Sequence, residues 1–89
     1  LGEASVLSND EKFDLVKFTV DKVAGKVPVV MNIAEGSTSE AVKLAAEAEK
    51  CGAKGLMMLP PMRYKSDHRE TVAFFRAVAE TSSLPVMIY

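Results

Sequence analysis

Tyr89 ends an apolar run, Leu84-Pro85-Val86-Met87-Ile88-Tyr89, and a phenol at the end of a buried strand can relay a proton to a bound substrate. Phenols ordinarily ionise only near pH 10, so such work at neutral pH requires a tuned environment. The plainer reading is a core tyrosine whose hydroxyl finds a partner. His68, the only histidine, follows Asp67 and reads as a surface residue of a helix first turn. Arg63 and Lys65 share a loop, where they suit either attraction of a substrate carboxylate or plain solvation. Cys51, the only cysteine, stands at a helix end without a partnered histidine and reads as a small buried hydrophobe. It has no intramolecular disulfide partner, which fits a reducing compartment such as the cytoplasm. The residues show neither a Gly-rich phosphate fingerprint nor a metal-ligand spacing.

Three helices and three strands are needed to position these groups. Ser8-Asn9-Asp10-Glu11, Ser37-Thr38-Ser39-Glu40 and Asp67-His68-Arg69-Glu70 each place a capping side chain three residues before a glutamate. Behind them run helical stripes: Phe13, Val16, Val20 and Val23; Ala41, Leu44, Ala45 and Ala48; Val72, Phe75, Val78 and Ala79. Gly25 and Gly52 fall where a left-handed residue would end the first two helices. Between the helices lie the continuous apolar runs Val27–Met31, Leu56–Leu59 and Leu84–Tyr89. Such runs mark strands buried on both faces, as in a parallel sheet. They begin near positions 28, 56 and 85, a period of roughly 28–30 residues that suits a βαβ unit.

The loops have a polarity. Helix-to-strand connections are short and plain, whereas the strand-to-helix stretches Asn32–Gly36 and Pro60–Ser66 are longer and richer. In parallel α/β proteins the site forms at the carboxyl ends of strands. Residues 1–3, 32–36, 60–65 and Tyr89 therefore gather on one rim.

Composition bounds the rest. Eighty-nine residues with 48% hydrophobic content make one small domain at most, with apolar surface to spare for a covering partner. Net charge is −1, from 11 basic and 12 acidic residues, which favours neither nucleic acid nor an anionic membrane surface. No apolar run approaches the roughly 18 residues of a membrane span, and no signal peptide is seen. Both ends read as cut, so residues 1–89 are expected to be an internal piece of a larger α/β domain. A barrel is the leading architecture and a doubly wound open sheet the runner-up. A third possibility is a self-standing α/β module that associates through its open sheet edges.

Four ordered stretches resemble the pyruvate-dependent Schiff-base lyases of the dihydrodipicolinate synthase and N-acetylneuraminate lyase superfamily. Leu1-Gly2-Glu3 with Leu7-Ser8 and Glu11 is similar to the end of its Gly-x-x-Gly-Glu motif and the continuation. Val27-Pro28-Val29-Val30 with Ser37-Thr38 and Glu40-Ala41 resembles its third strand and following helix. Gly52-Ala53-Lys54-Gly55 with Leu59-Pro60-Pro61 resembles the region of its fourth strand, and Leu84–Tyr89 the Leu-Pro-x-x-x-Tyr of its fifth. The order and spacing span nearly the whole chain.

This resemblance implies a segment of a TIM (β/α)8 barrel running from the end of strand 2 through strand 5. It also implies a class I aldolase-type enzyme acting on pyruvate or a related 2-oxo acid. Tyr89 would be the catalytic proton relay, and Leu1 and Gly2 would hold the substrate carboxylate. Asn32, standing where the family often has Gly, would meet a substrate polar group. No separate cofactor is implied, because the chemistry runs through an imine on a strand-six lysine. Lys12, Lys17, Lys22, Lys43 and Lys50 fall on helices, Lys26 and Lys54 on the opposite rim, and Lys65 in a loop, so that lysine is expected outside this segment. Relatives of this kind are commonly homo-oligomers, often tetramers. Pro61-Met62 replaces two family tyrosines, one of which normally completes a proton relay across a subunit interface; Tyr64 follows two residues on. This departure favours a sugar-acid or hydroxyproline-derived 2-oxo acid over lysine biosynthesis.

Overall fold

The computed structural model describes residues 4–60 and 67–89. Leu1, Gly2 and Glu3, and the loop positions Pro61, Met62, Arg63, Tyr64 and Lys65, lie outside them.

A short 3-10 turn, Ala4–Val6, leads into helix α1, Asn9–Val23. Ser8 Oγ accepts from the Glu11 N–H at 3.2 Å, and Glu11 Oε1 accepts from the Ser8 N–H at 2.9 Å, so the expected capping box is closed. The Ser8 N–H, and after it the Ser8 hydroxyl, hold the Glu11 carboxyl below its ordinary value. The helix stops where Ala24 and then Gly25 turn left-handed, with φ of 48° and 78°, so two residues share the reversal expected of Gly25.

Strand β1, Val30–Ile33, helix α2, Thr38–Lys50, strand β2, Gly55–Met58, helix α3, His68–Thr81, and strand β3, Val86–Ile88, follow in order. Ser37 makes only half of the expected box: its Oγ accepts from the Glu40 N–H at 3.2 Å. Asp67 and Glu70 make both halves. The sheet order is β1-β2-β3, all parallel, with Asn32 opposite Met57 and Met57 opposite Met87.

Strand β1 lies further along the chain than its apolar run suggested. Val27 is exposed and Pro28 has no N–H to give. The ladder instead begins where Lys54 N–H reaches Val29 O at 2.8 Å and Val30 meets Gly55. Asn32 is thus a strand residue rather than the first residue of the following loop.

The helices pack on one face of the sheet. Met31, Ile33, Leu56 and Met58 point into a core closed by Val16 of α1, Ala41, Leu44, Ala45 and Ala48 of α2, and Phe74 and Val78 of α3. The other face is open: Val30 and Met87 are exposed, and Met57 is half-buried. The apolar strands are therefore covered on one face, and the second is the surplus apolar surface expected of a segment too short to close a barrel.

The α3 stripe also differs from expectation. Phe74 and Val78 face α2 and the core, whereas Val72 and Ala79 are exposed and Phe75 is half-buried. Residues 72, 75 and 79 instead line an apolar groove of about 530 Å³ with Leu84, Val86 and Ile88, beside the free edge of β3. Phe74 and Phe75 meet edge to face, with ring centroids 5.6 Å apart.

At the rim away from the strand ends, Glu49 of α2 ties down the α3–β3 connection. Its Oε1 accepts from Ser83 Oγ at 2.8 Å, Ser83 N–H at 3.1 Å and Ser82 Oγ at 3.3 Å. The Ser83 hydroxyl, then the Ser83 N–H, hold the Glu49 carboxyl below its ordinary value. Sequence patterning showed this connection only as a short plain loop.

Candidate active site

Strand polarity decides which end of the sheet can bear chemistry. Residues at the carboxyl ends of β1, β2 and β3 leave the sheet together, and alternation sends every second side chain to the open face. Asn32 sits on that face in β1 and is exposed. Met57 and Met87 complete its row. One step further along, Leu59 N–H donates to Ile33 O at 3.1 Å, and Tyr89 N–H donates to Met58 O at 2.9 Å. These bonds continue the ladder past both strand ends. They set Tyr89 on the same face as Met87, two residues nearer the rim, with 81% of its surface exposed.

Asn32, Ala34, Met57, Leu59 and Tyr89 line one cavity of about 730 Å³, which also reaches along the free edge of β1 to Lys12, Leu15 and Val16 of α1. Its walls are mostly apolar, with a few polar groups converging, as in a small-molecule site. The structure brings Asn32 and Tyr89 into a common space. Lys12, a helix residue as expected, reaches this space only around the free edge of β1. Lys12 Nζ pairs with Glu35 Oε1 at 3.2 Å, and both side chains are largely covered, at 19% and 21% exposure. The start of α1 after a strand-to-helix loop is the sequence signal that sets Lys12 near this rim; its pairing with Glu35, 23 residues on, leaves no local signal.

Other candidates sit as read. His68 begins α3 and is exposed, and Cys51 is buried at the end of α2. Lys12, Lys17 and Lys22 lie on α1, and Lys43 and Lys50 on α2, so no described lysine stands in a strand. No helix among the described residues is long and apolar enough to cross a membrane.

A parallel sheet, helices on one face and polar side chains at its carboxyl ends define a βα-repeat protein built like the enzymes whose sites occupy that rim. More narrowly, the chain belongs to the dihydrodipicolinate synthetase family, whose model matches residues 1–89. A 4-hydroxy-tetrahydrodipicolinate synthase of Bartonella quintana is 40% identical over 88 residues, which cover 99% of this chain and 30% of that protein. Dihydrodipicolinate synthase DapA-2 of Bacillus anthracis superposes with a TM-score of 0.96 at 31% identity, over 99% of this chain and 30% of that one. YagE, a prophage protein of the same family from E. coli K12 solved in complex with pyruvate, gives 0.92 at 31% identity, with the same coverage. The chain therefore spans about 30% of the length of the relatives it matches.

Proposed function

We propose that this segment supplies one wall and the proton relay of a Schiff-base-forming lyase or synthase that acts on pyruvate or a related 2-oxo acid. The observation that carries the reading is the position of Tyr89, on the open sheet face at the carboxyl end of β3 and in one cavity with Asn32. Family membership supports it. On this reading the segment spans the end of strand 2 through strand 5 of an eight-stranded barrel in a cytoplasmic homo-oligomer.

A lysine outside these residues attacks the 2-oxo carbon, and the resulting carbinolamine loses water to give the imine. Each step moves a proton between nitrogen and oxygen, and the Tyr89 hydroxyl is the group that carries it. The imine then serves as the electron sink for making or breaking the adjacent C–C bond, so no further cofactor is needed. Leu1 and Gly2 contribute to holding the substrate carboxylate. Asn32 offers its amide to a hydroxyl of a sugar-acid or hydroxyproline-derived substrate.

The test is reductive trapping. A complete barrel carrying this segment, incubated with pyruvate and borohydride, is expected to gain the mass of a reduced pyruvyl adduct on one lysine. The isolated 89 residues are expected to gain none, and a stable adduct on them would place the nucleophile within this chain.

Dihydrodipicolinate synthase activity is the second reading, favoured by the names of the relatives. Pro61-Met62, in place of two tyrosines, weighs against it. Condensation of pyruvate with an aspartate-derived semialdehyde, assayed beside cleavage of hydroxylated 2-oxo acids, separates the two. A non-catalytic self-associating module is a third reading, drawn from the exposed apolar sheet face. Sedimentation equilibrium of the isolated chain tests it, since only that reading expects a folded, monodisperse assembly.

A further inference from the structure

The central strand floors the cavity with one side chain. Asn32, Met57 and Met87 form a row across the open sheet face, and Leu59 and Tyr89 stand one layer nearer the rim. Asn32, Met57, Leu59 and Tyr89 all line the cavity, so Met57 lies one layer beneath Leu59 and between the two polar groups. The next layer down on β2 is Gly55, opposite Val30. A Cβ added to Gly55 would have Pro85 O at 3.5 Å and Val30 Cγ2 at 3.6 Å as its nearest neighbours. Strand β2 therefore offers no side chain below Met57, and the length of that thioether fixes how deep the cavity runs there. Leu56 and Met58, by contrast, face the helices and are buried.

We infer that Met57 is a specificity-determining residue, the floor that sets how long a 2-oxo acid fits between Tyr89 and Asn32. The inference rests on the 2-oxo acid reading, which places the reacting carbon beside Tyr89. Neighbouring strands lie about 4.8 Å apart, so Asn32 stands about 10 Å across the sheet from the end of β3. Pyruvate fills the Tyr89 end alone, whereas a longer acid runs toward Asn32 and crosses β2 over Met57. An unbranched thioether is apolar and pliable, suited to contact with a carbon chain and a poor partner for a hydroxyl. The substrate class this selects is a 2-oxo acid longer than pyruvate, with an apolar middle over Met57 and a polar far end at Asn32. Truncating Met57 opens the space above Gly55, and enlarging it shuts the path.

The test measures the concentrations of unbranched five-carbon and seven-carbon 2-oxo acids that half-saturate borohydride trapping in the complete barrel. Met57→Ala is expected to shift their ratio about 10-fold in favour of the longer acid, the discrimination that a methylene or two gives in an apolar pocket. Met57→Phe is expected to shift it by a similar factor in favour of the shorter one. Met57 faces away from the helix-packed core, and Met57→Val repeats the direction of the alanine variant should that one fail to fold. A ratio that stays put, or moves the same way in the truncated and enlarged variants, overturns the inference while the functional reading stands. A wild-type barrel that pyruvate never traps would instead defeat the functional reading, and this inference with it.

Discussion

Asn32 lies in one outer strand of the sheet and Tyr89 directly follows the other, yet they open into the same cavity, with Met57 of the central strand between them. The register produces this. Asn32 opposes Met57, Met57 opposes Met87, and Tyr89 follows Met87 by two residues, so all four side chains leave the same face.

Tyr89→Phe keeps the ring and removes only the hydroxyl. In a complete barrel the turnover number is expected to fall about 10²- to 10⁴-fold, the usual contribution of a positioned acid or base. The melting temperature should barely move. Steady-state kinetics beside a thermal melt check this, and a variant retaining more than a tenth of wild-type turnover contradicts the relay role.

Asn32→Leu conserves volume and deletes the amide. Efficiency toward a hydroxylated 2-oxo acid is expected to drop about 10-fold, the equivalent of one lost hydrogen bond. Half-saturation of pyruvate trapping should stay unchanged. Equal losses with both ligands would show that Asn32 braces the sheet rather than reading the substrate.

Glu49 gives a pH signature. Its carboxyl is held below the ordinary value of 4.5 by Ser83, so the folded state favours the ionised form. That contribution is fully present above the unfolded pKa and is lost as pH falls through the lowered folded value. Urea midpoints of wild type and Glu49→Gln should therefore differ by a constant amount well above the ordinary value of 4.5 and draw together as pH falls below it, through the lowered folded value. A gap that does not shrink with acid would assign the effect to shape rather than charge.

Gly52 and Gly25 make a paired test of backbone conformation. Both have positive φ, but a Cβ on Gly25 meets nothing within 4 Å, whereas one on Gly52 comes 3.0 Å from Val20 Cγ1. Gly25→Ala should cost about 1 kcal/mol from the left-handed conformation alone. Gly52→Ala should cost at least about 1 kcal/mol more, because the contact adds to the strain. Denaturant titration measures both. Gly52→Ala on a Val20→Ala background should recover part of the excess, and strict additivity would refute the contact.

Much of this arrangement was legible from local rules. Ser8, Ser37 and Asp67 start helices because a cap and its N–H lie three residues apart, a distance that any helix reproduces. The sense of each βα connection follows as well, and it puts Asn32 and Tyr89 on one rim. The third helix was harder to read. Residues 72, 75 and 79 and residues 74 and 78 are both helical stripes, and periodicity cannot say which of two adjacent apolar faces meets the core.

The repeat, the caps, the strand polarity and the family can all be read along the chain, because each depends on neighbours a few residues apart or on the order of short motifs. The remaining features come from contacts made in the folded state. Pairing with Gly55 and Met57 drew Asn32 into β1, and packing against α2 selected Phe74 for the core. Chain reversal brought Glu49 to Ser83, 34 residues away, and Lys12 to Glu35, 23 residues away. Those choices rest on contacts between distant segments, whose geometry exists only once the strands have found their register.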